Sequence, residues 1–272
     1  QEPLDITDKQ GVFRSIKKHN PDVVIHCAAL VDAAFLEKNH QVGWRIFVEG
    51  TENIALACQQ IKTKLVFVST DWIFDGLNPP YEENSIPHPV NYYGVLKVVG
   101  ETVVRSLCQD WAIARVAAVY GLNKAVPTPV PEKPYGFGSL INYFLEKFQA
   151  GEKIREWKDY VSIRGNPTLA SDAADALMAI YVKNQKGIFH CCGGECISRV
   201  DLAKKVAEIF DFDEELISTS FREKSDLAEW VGEDLRLPRQ TCLDTTWTEK
   251  RLARENLGVE GGLVQFKNEI EE

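Results

Sequence analysis

Clustered positive charge, long apolar runs and paired cysteines are all scarce in this 272-residue chain. Lysine and arginine number 31 against 40 aspartates and glutamates, for a formal net charge of −9. No Lys/Arg cluster stands out, and a nucleic-acid surface needs one to neutralise phosphates, so nucleic acid is excluded as a partner. No apolar run approaches the roughly 18–20 residues that span a bilayer, which excludes a spanning helix. The opening Gln1-Glu2-Pro3-Leu4-Asp5 is neither a basic n-region nor a signal peptide. No CxxC pair exists, and Cys191-Cys192-x-x-x-Cys196 lacks zinc-ligand spacing. The seven scattered cysteines are therefore expected to be reduced thiols in the core of a cytoplasmic protein, with no metal site.

What the chain does have is the composition of a globular protein, 44% hydrophobic and 26% charged. That much apolar surface offsets the entropy of ordering the chain. Asp22-Val-Val-Ile-His-Cys27, Lys64-Leu-Val-Phe-Val-Ser69 and Ala112-Ile-Ala-Arg-Val-Ala117 read as buried strands. Helical stretches follow the first two, from about Gly43 to Ile61 and from about Val90 to Leu107. Buried strands separated by helices mean βαβ units in a parallel sheet. Right-handed crossovers then give an α/β, doubly wound Rossmann-type sheet. After Gly121 the texture changes to a Pro-rich loop (Val126 to Pro134) and a helix near Gly138 to Ala150. A helix near Ser171-Asp172 with Ser171 as N-cap, a short strand Gly187–Cys191 and an amphipathic helix Ser198–Phe210 come next. Short helices are expected after Thr245 and Gly262. Residues 1–122 and about 165–192 are expected to form the dinucleotide-binding core. Residues of about 123–164 and 193–272 would form a small α+β substrate-binding lobe.

The chemistry gathers where the second strand ends in Ser69-Thr70-Asp71. Hydroxyls at the carboxyl end of a parallel strand sit where open α/β sheets bind ligands. A helix downstream carries Tyr93-Gly-Val-Leu-Lys97, and positions i and i+4 share one helical face. A lysine beside a phenol favours the phenolate and is expected to lower the tyrosine pKa toward neutrality. Thr70 or Ser69 can hold a carbonyl oxygen, and the set can protonate a carbonyl as hydride arrives from a nicotinamide. Spacing alone is weak, because Tyr-x-x-x-Lys also occurs at Tyr120/Lys124 and Tyr143/Lys147. Tyr120 falls at a strand exit, and Tyr143/Lys147 reads as a core tyrosine with a solvated lysine. Only Tyr93/Lys97 follows a strand ending in Ser-Thr.

The neighbouring residues extend this to a family. Pro80-Tyr81-Glu82-Glu83-Asn84-Ser85-Ile86-Pro87 through Tyr93-Gly94, then Lys97 and Gly100-Glu101, resembles extended short-chain dehydrogenases/reductases, and most nearly the dTDP-4-dehydrorhamnose reductase group. Leu4-Asp-Ile-Thr-Asp8, Pro21 to Ala29, Val48-Glu-Gly-Thr-Glu-Asn53 and Ser69-Thr-Asp-Trp-Ile-Phe-Asp-Gly76 fall in the family's order. So do Gly165-Asn-Pro-Thr168 with Asp172, Gly193-Gly194 before Ser198-Arg199, and Arg239 to Asp244.

The resemblance implies that Thr70, Tyr93 and Lys97 are the catalytic set, with Tyr93 giving the proton and Lys97 contacting the nicotinamide ribose. It implies NADP(H) or NAD(H) as cofactor, met by Asp5, Ile6, Cys27, Ala28, Ala29, Ser69, Val116 and Ala117 besides the catalytic pair. A nucleotide-sugar substrate would be met by Thr70, Trp72, Asn166 and Arg239, the arginine fork suiting a diphosphate. Each of the last has a plainer alternative: Trp72 in the core, Arg239 in a surface ion pair, Asp5 at a helix start. Two departures stand out. No glycine precedes Gly11, so the family's Gly-rich phosphate turn, first helix and second strand are expected to be missing from these residues. Phe47 stands where the family often has an asparagine supporting the region beneath the nicotinamide. The implied activity is reduction of a 4-keto sugar nucleotide. A non-catalytic regulatory subunit, like the relative that partners methionine adenosyltransferase, and a sugar-nucleotide epimerase or dehydratase are the alternatives. A homodimer is compatible with either reading.

Overall fold

The structure is a computed structural model that describes residues 3–30, 32–122, 137–157, 163–220 and 235–271. The Pro-rich loop and Lys124 lie outside the described residues. Chain order begins with α1 (Lys9–His19), β1 (Val23–His26), α2 (Ala33–Lys38) and α3 (His40–Trp44). A π-turn over Arg45–Glu49 leads into α4 (Gly50–Ile61), then β2 (Lys64–Thr70), α5 (Tyr92–Leu107) and β3 (Trp111–Val116). The helix expected from Gly43 is thus three pieces: a widened turn interrupts it at Phe47, and the short α2 precedes it.

Local chemistry sets these boundaries. Asp8 caps α1 by accepting from the Gln10 N–H, Lys17, Lys18 and His19 occupy its last turn, and Asn20 ends it in the left-handed region. A carboxylate at one end and cations at the other both offset the helix dipole. Asn91 caps α5 through the Gly94 N–H at 2.9 Å.

Strands β1, β2, β3 and β8 (Gly187–His190) form one parallel sheet in the order β1-β2-β3-β8. Successive side chains alternate between its faces. Leu65, Phe67 and Ile113 meet Val12 and Ile16 of α1, Ile54 and Cys58 of α4 and Val104 of α5 on one face. Val66, Ala112 and Ala114 meet Ala176 and Ile180 of α7 (Ala170–Val182) on the other. Helices therefore cover both faces, the doubly wound arrangement expected.

The remaining elements gather around a second apolar cluster. They are β4 (Val119–Tyr120), α6 (Phe137–Gln149), β5 (Ile154–Trp157), β6 (Arg164–Gly165), β7 (Thr168–Leu169), β9 (Ile197–Ser198), α8 (Arg199–Ile209), β10 (Ile217–Ser220) and α10 (Val259–Glu271), whereas α9 (Thr246–Leu252) packs on the sheet, Leu252 joining Val66 and Ala176. Leu140 and Phe144 of α6, Leu202 and Val206 of α8, and Leu263 and Phe266 of α10 share that core. Tyr143 packs on its margin while Lys147 pairs with exposed Glu152 at 2.6 Å, as a core tyrosine and solvated lysine should.

Two expectations are corrected here, and one strand is added to them. Ser171 lies inside α7, where its hydroxyl donates to Glu269, and Leu169 holds the cap position without a side-chain bond. The polar stretch after α8 contains β10, which pairs in parallel with β5. Cys196 and Cys242 are joined in a disulfide with Cα atoms 5.6 Å apart, so not every thiol is reduced. Their segments meet because Asn166 bridges the Gly193 and Leu243 backbones. Cys27, Cys58, Cys108, Cys191 and Cys192 are free, and all but Cys27 are buried.

Candidate active site

The site is built where β2 runs out. Thr70, its last residue, is buried, and Asp71 opens a tight turn to Ile73. The Thr70 hydroxyl donates to Asp71 Oδ1 at 3.1 Å and accepts the Trp72 N–H at 3.2 Å. Asp71 also accepts the Thr241 hydroxyl from a segment 170 residues away. Burial pushes the Asp71 carboxyl up to about 6, against the bonds from Thr241, Thr70 and the backbone.

Helix α5 brings Tyr93 to this point in its first turn. Gly94 lets it approach: a Cβ there would run into the Trp72 carbonyl oxygen. Farther along, a Cβ at Gly100 would sit 2.7 Å from the Phe67 ring, so α5 lies close against β2 along its length. The Asn91 cap binds outward as well, its Nδ2 donating to the Arg236 carbonyl at 2.9 Å.

The Tyr93 phenol neighbours Thr70 and Asp71 at the end of β2. Burial raises its pKa well above the ordinary tyrosine value; the Thr70 bond opposes this and the nearby Asp71 charge adds to it. Lys97 Nζ donates to the Val68 carbonyl at 2.9 Å and sits over the rings of Phe67 (5.2 Å), Phe47 (5.3 Å) and Tyr93 (5.9 Å). Burial lowers its pKa to about 8, partly offset by Cys27 and Glu101. The expectation that Lys97 draws the Tyr93 pKa toward neutrality is therefore reversed. The ammonium is bonded to strand backbone and faces rings, so desolvation dominates at both groups.

Other expected residues divide by position. Cys27, Ala28 and Ala29 are exposed where β1 ends, and Cys27 is close enough to Lys97 for each charge to act on the other. Ser69 is buried, and its Oγ has no hydrogen-bond partner. Asp5 is exposed and accepts both the Thr7 N–H and the Thr7 hydroxyl at 2.8 Å; Asp8, not Asp5, caps the helix. Ile6 packs against Gly50 of α4. Half-buried Val116 and buried Ala117 lead out of β3, the Ala117 carbonyl accepting from Thr168 Oγ1 at 2.5 Å. Trp72 meets Tyr93 edge-on at 5.9 Å and packs with Leu235 and Leu237.

The substrate-side candidates Asn166 and Arg239 behave differently. Asn166 is 1% exposed, with its Nδ2 on the Gly193 and Leu243 carbonyls and its Oδ1 on the Leu243 N–H. Its amide thus clasps two backbone segments. Arg239 is exposed on the strand-like segment that carries Thr241. Three contributors escaped the sequence reading: Thr241, the second role of Asn91, and the Phe47 ring beside Lys97. Asn91 ahead of Tyr-Tyr-Gly is itself an N-cap signal. Thr241 has no local signal, because only the tertiary fold brings it to Asp71.

Fold and site together define a Rossmann-type protein of the extended short-chain dehydrogenase/reductase class. Residues 1–252 match the RmlD substrate binding domain, and the chain belongs to that family. It is 30% identical over 215 residues to methionine adenosyltransferase 2 subunit beta of Xenopus laevis, covering 77% of this chain and 61% of that protein. The chain thus spans about three fifths of the length of the beta subunits it matches. It is 28% identical to the probable low-salt glycan biosynthesis reductase Agl14 of Haloferax volcanii, over 97% of this chain and 83% of that one. Among solved structures, dTDP-4-dehydrorhamnose reductase of Bacillus anthracis in complex with NADP superposes with a TM-score of 0.82 at 24% identity. That match covers 98% of this chain and 87% of the other. Among the described residues no helix is long and apolar enough to cross a membrane, and no acidic, His or Cys cluster could hold a metal.

Proposed function

We propose that the chain serves an NAD(P)H-dependent reductase of a 4-keto sugar nucleotide. The observation that carries this reading is the convergence of Thr70, Tyr93 and Lys97 at the end of β2. The fit of a nicotinamide cofactor rests on Ser69, whose buried, unpartnered Oγ lies one residue beyond the carbonyl that Lys97 holds. Ser69, Lys97 and the exposed Cys27–Ala29 turn would hold its nicotinamide–ribose end. When bound, that cofactor supplies the hydride. The chain's residues handle the proton and the oxygen. Tyr93 has a raised pKa and so keeps its phenol protonated at neutral pH, the state from which a donor to a forming alkoxide must start. Thr70 stands beside the phenol, its oxygen held by the Trp72 N–H and its hydroxyl directed to Asp71. Trp72 meets the Tyr93 ring edge-on beside this set. Segregation of the Leu140–Phe266 cluster from the parallel sheet supports the reading of a separate substrate lobe.

The test is oxidation of NADPH and of NADH by the natural full-length protein, followed at 340 nm with a panel of 4-keto nucleotide sugars. Substrate-dependent oxidation with either coenzyme is expected; none across the panel would overturn the assignment. The likeness to methionine adenosyltransferase beta subunits favours a second reading, a binding subunit of the same fold. Its signature is cofactor binding without turnover, together with co-purification with a methionine adenosyltransferase.

A further inference from the structure

The Lys97 ammonium has an unusual setting for a buried charge. Its side chain is 4% exposed, and its hydrogen bond goes to a neutral carbonyl, that of Val68. Two phenylalanine rings flank it, Phe67 of β2 at 5.2 Å and Phe47 of the π-turn at 5.3 Å. Both lie within the roughly 6 Å at which a ring face attracts a cation, an attraction that grows when the site is dry. Phe47 is itself fixed. It is 3% exposed and stands edge-on to Tyr93 at 5.8 Å and 88°. Its carbonyl accepts the Thr51 hydroxyl at 2.6 Å. That bond uses the only Thr51 hydroxyl proton, so His26 Nε2, 3.1 Å from the same oxygen, must be the N–H that donates to it. A widened helical turn, a hydroxyl and a neutral imidazole together aim this ring.

We infer that Phe47 is a positioning residue for Lys97, its ring and that of Phe67 holding the ammonium at the seam of β2 and α5 in place of a charged partner. The inference deepens the reductase reading, because Lys97 is the group that would meet the nicotinamide ribose. The titratable groups facing Lys97 are His26 of β1, Cys27 just after it, and Tyr93 and Glu101 from its own helix. Glu101 is committed to Arg115 through paired bonds of 3.0 Å. His26, brought down to about 3 by burial and by the Lys97 charge, stays neutral through the range in which Lys97 titrates. Burial raises the Cys27 thiol above its ordinary value, and its charge acts on Lys97, so it has to be removed as a variable.

The sign of the ring effect can be isolated. Phe47→Leu keeps the site apolar but removes the ring face, so the charged form loses support and Lys97 should titrate lower. Phe47→Tyr keeps the ring face and should leave it in place. The measurement is the 13Cε and 15Nζ shift titration of Lys97 in the full chain, in a Cys27→Ser background, with the resonance assigned by Lys97→Arg. Phe47→Leu should move the midpoint down by about one pH unit, Phe67→Leu should move it in the same direction, and Phe47→Tyr should not move it. An unchanged midpoint in both leucine variants, or an equal shift in Phe47→Tyr and Phe47→Leu, would overturn the inference. The readout needs no turnover, so it stands or falls separately from the reductase assignment. Where turnover is found, the pH profile of kcat should shift with the Lys97 midpoint.

Discussion

At the scale of single residues, the molecule is governed by desolvated polar groups whose partners come from distant parts of the chain. His190 shows the energetic consequence. It is fully buried, its Nδ1–H donates to the Asp244 carbonyl at 2.8 Å, and its Nε2 faces an Arg115 N–H at 3.5 Å. Burial and then the Arg115 charge bring its pKa down from 6.5 to about 3. Between those values the unfolded chain carries the proton and the folded chain does not. Stability from this residue is therefore complete above about 6.5 and is lost as pH falls toward 3. The slope is at most about 1.4 kcal/mol per pH unit. His190→Gln should flatten the stability–pH curve between pH 4 and 6 by about that amount, measured by urea unfolding; an unchanged slope would mean the imidazole is not held neutral. Sequence brought Tyr93 and Lys97 forward as site candidates but did not give their ionisation. Tyr93 and Lys97 were legible from spacing and from the Ser-Thr strand end. The direction of both pKa shifts depends on burial, which no spacing reports.

At the scale of elements, α5 is the piece that makes the site. Its start was legible within two residues, and its site face follows from the i, i+4 relation; the Asn91 cap was not read. The closeness of its docking is a matter of Gly94 and Gly100, whose missing side chains admit the Trp72 carbonyl and the Phe67 ring. In an ordinary helix Gly→Ala stabilises by about 1 kcal/mol. Here the sign should reverse. Gly94→Ala should cost on the order of 1–3 kcal/mol, as overpacking does, and lower kcat by displacing Tyr93 from Thr70. Urea unfolding gives the first and steady-state rates the second; a stabilised, fully active variant would contradict this docking. The break of the Gly43–Ile61 helix at Phe47 could not be read, since the residues of the π-turn are ordinary helix formers in sequence. The parallel pairing of β5 with β10 was missed for a different reason. Those strands are four residues each and meet across 63 positions of chain.

At the scale of the whole molecule, the net charge of −9 sits beside a proposed anionic ligand, so recognition has to come from placed groups and not from bulk attraction. The parallel sheet with helices on both faces followed from the alternation of buried strands and helices, which is a global pattern and survives local error, whereas the strand order did not. The cross-links between the halves did not follow from it: Thr241 on Asp71, Asn166 on Leu243 and the Cys196–Cys242 disulfide are all products of the finished fold. They tie the segment carrying Arg239 and Thr241 to the end of β2. The central claim is that this assembly reduces a keto sugar with Tyr93 as proton donor. It is tested most directly by comparing the full-length protein with Tyr93→Phe in NAD(P)H oxidation on a 4-keto nucleotide sugar, with coenzyme Kd measured in parallel. The expected result is a fall in kcat of about 100-fold or more with Kd within about threefold; normal turnover by the phenylalanine variant would contradict the account.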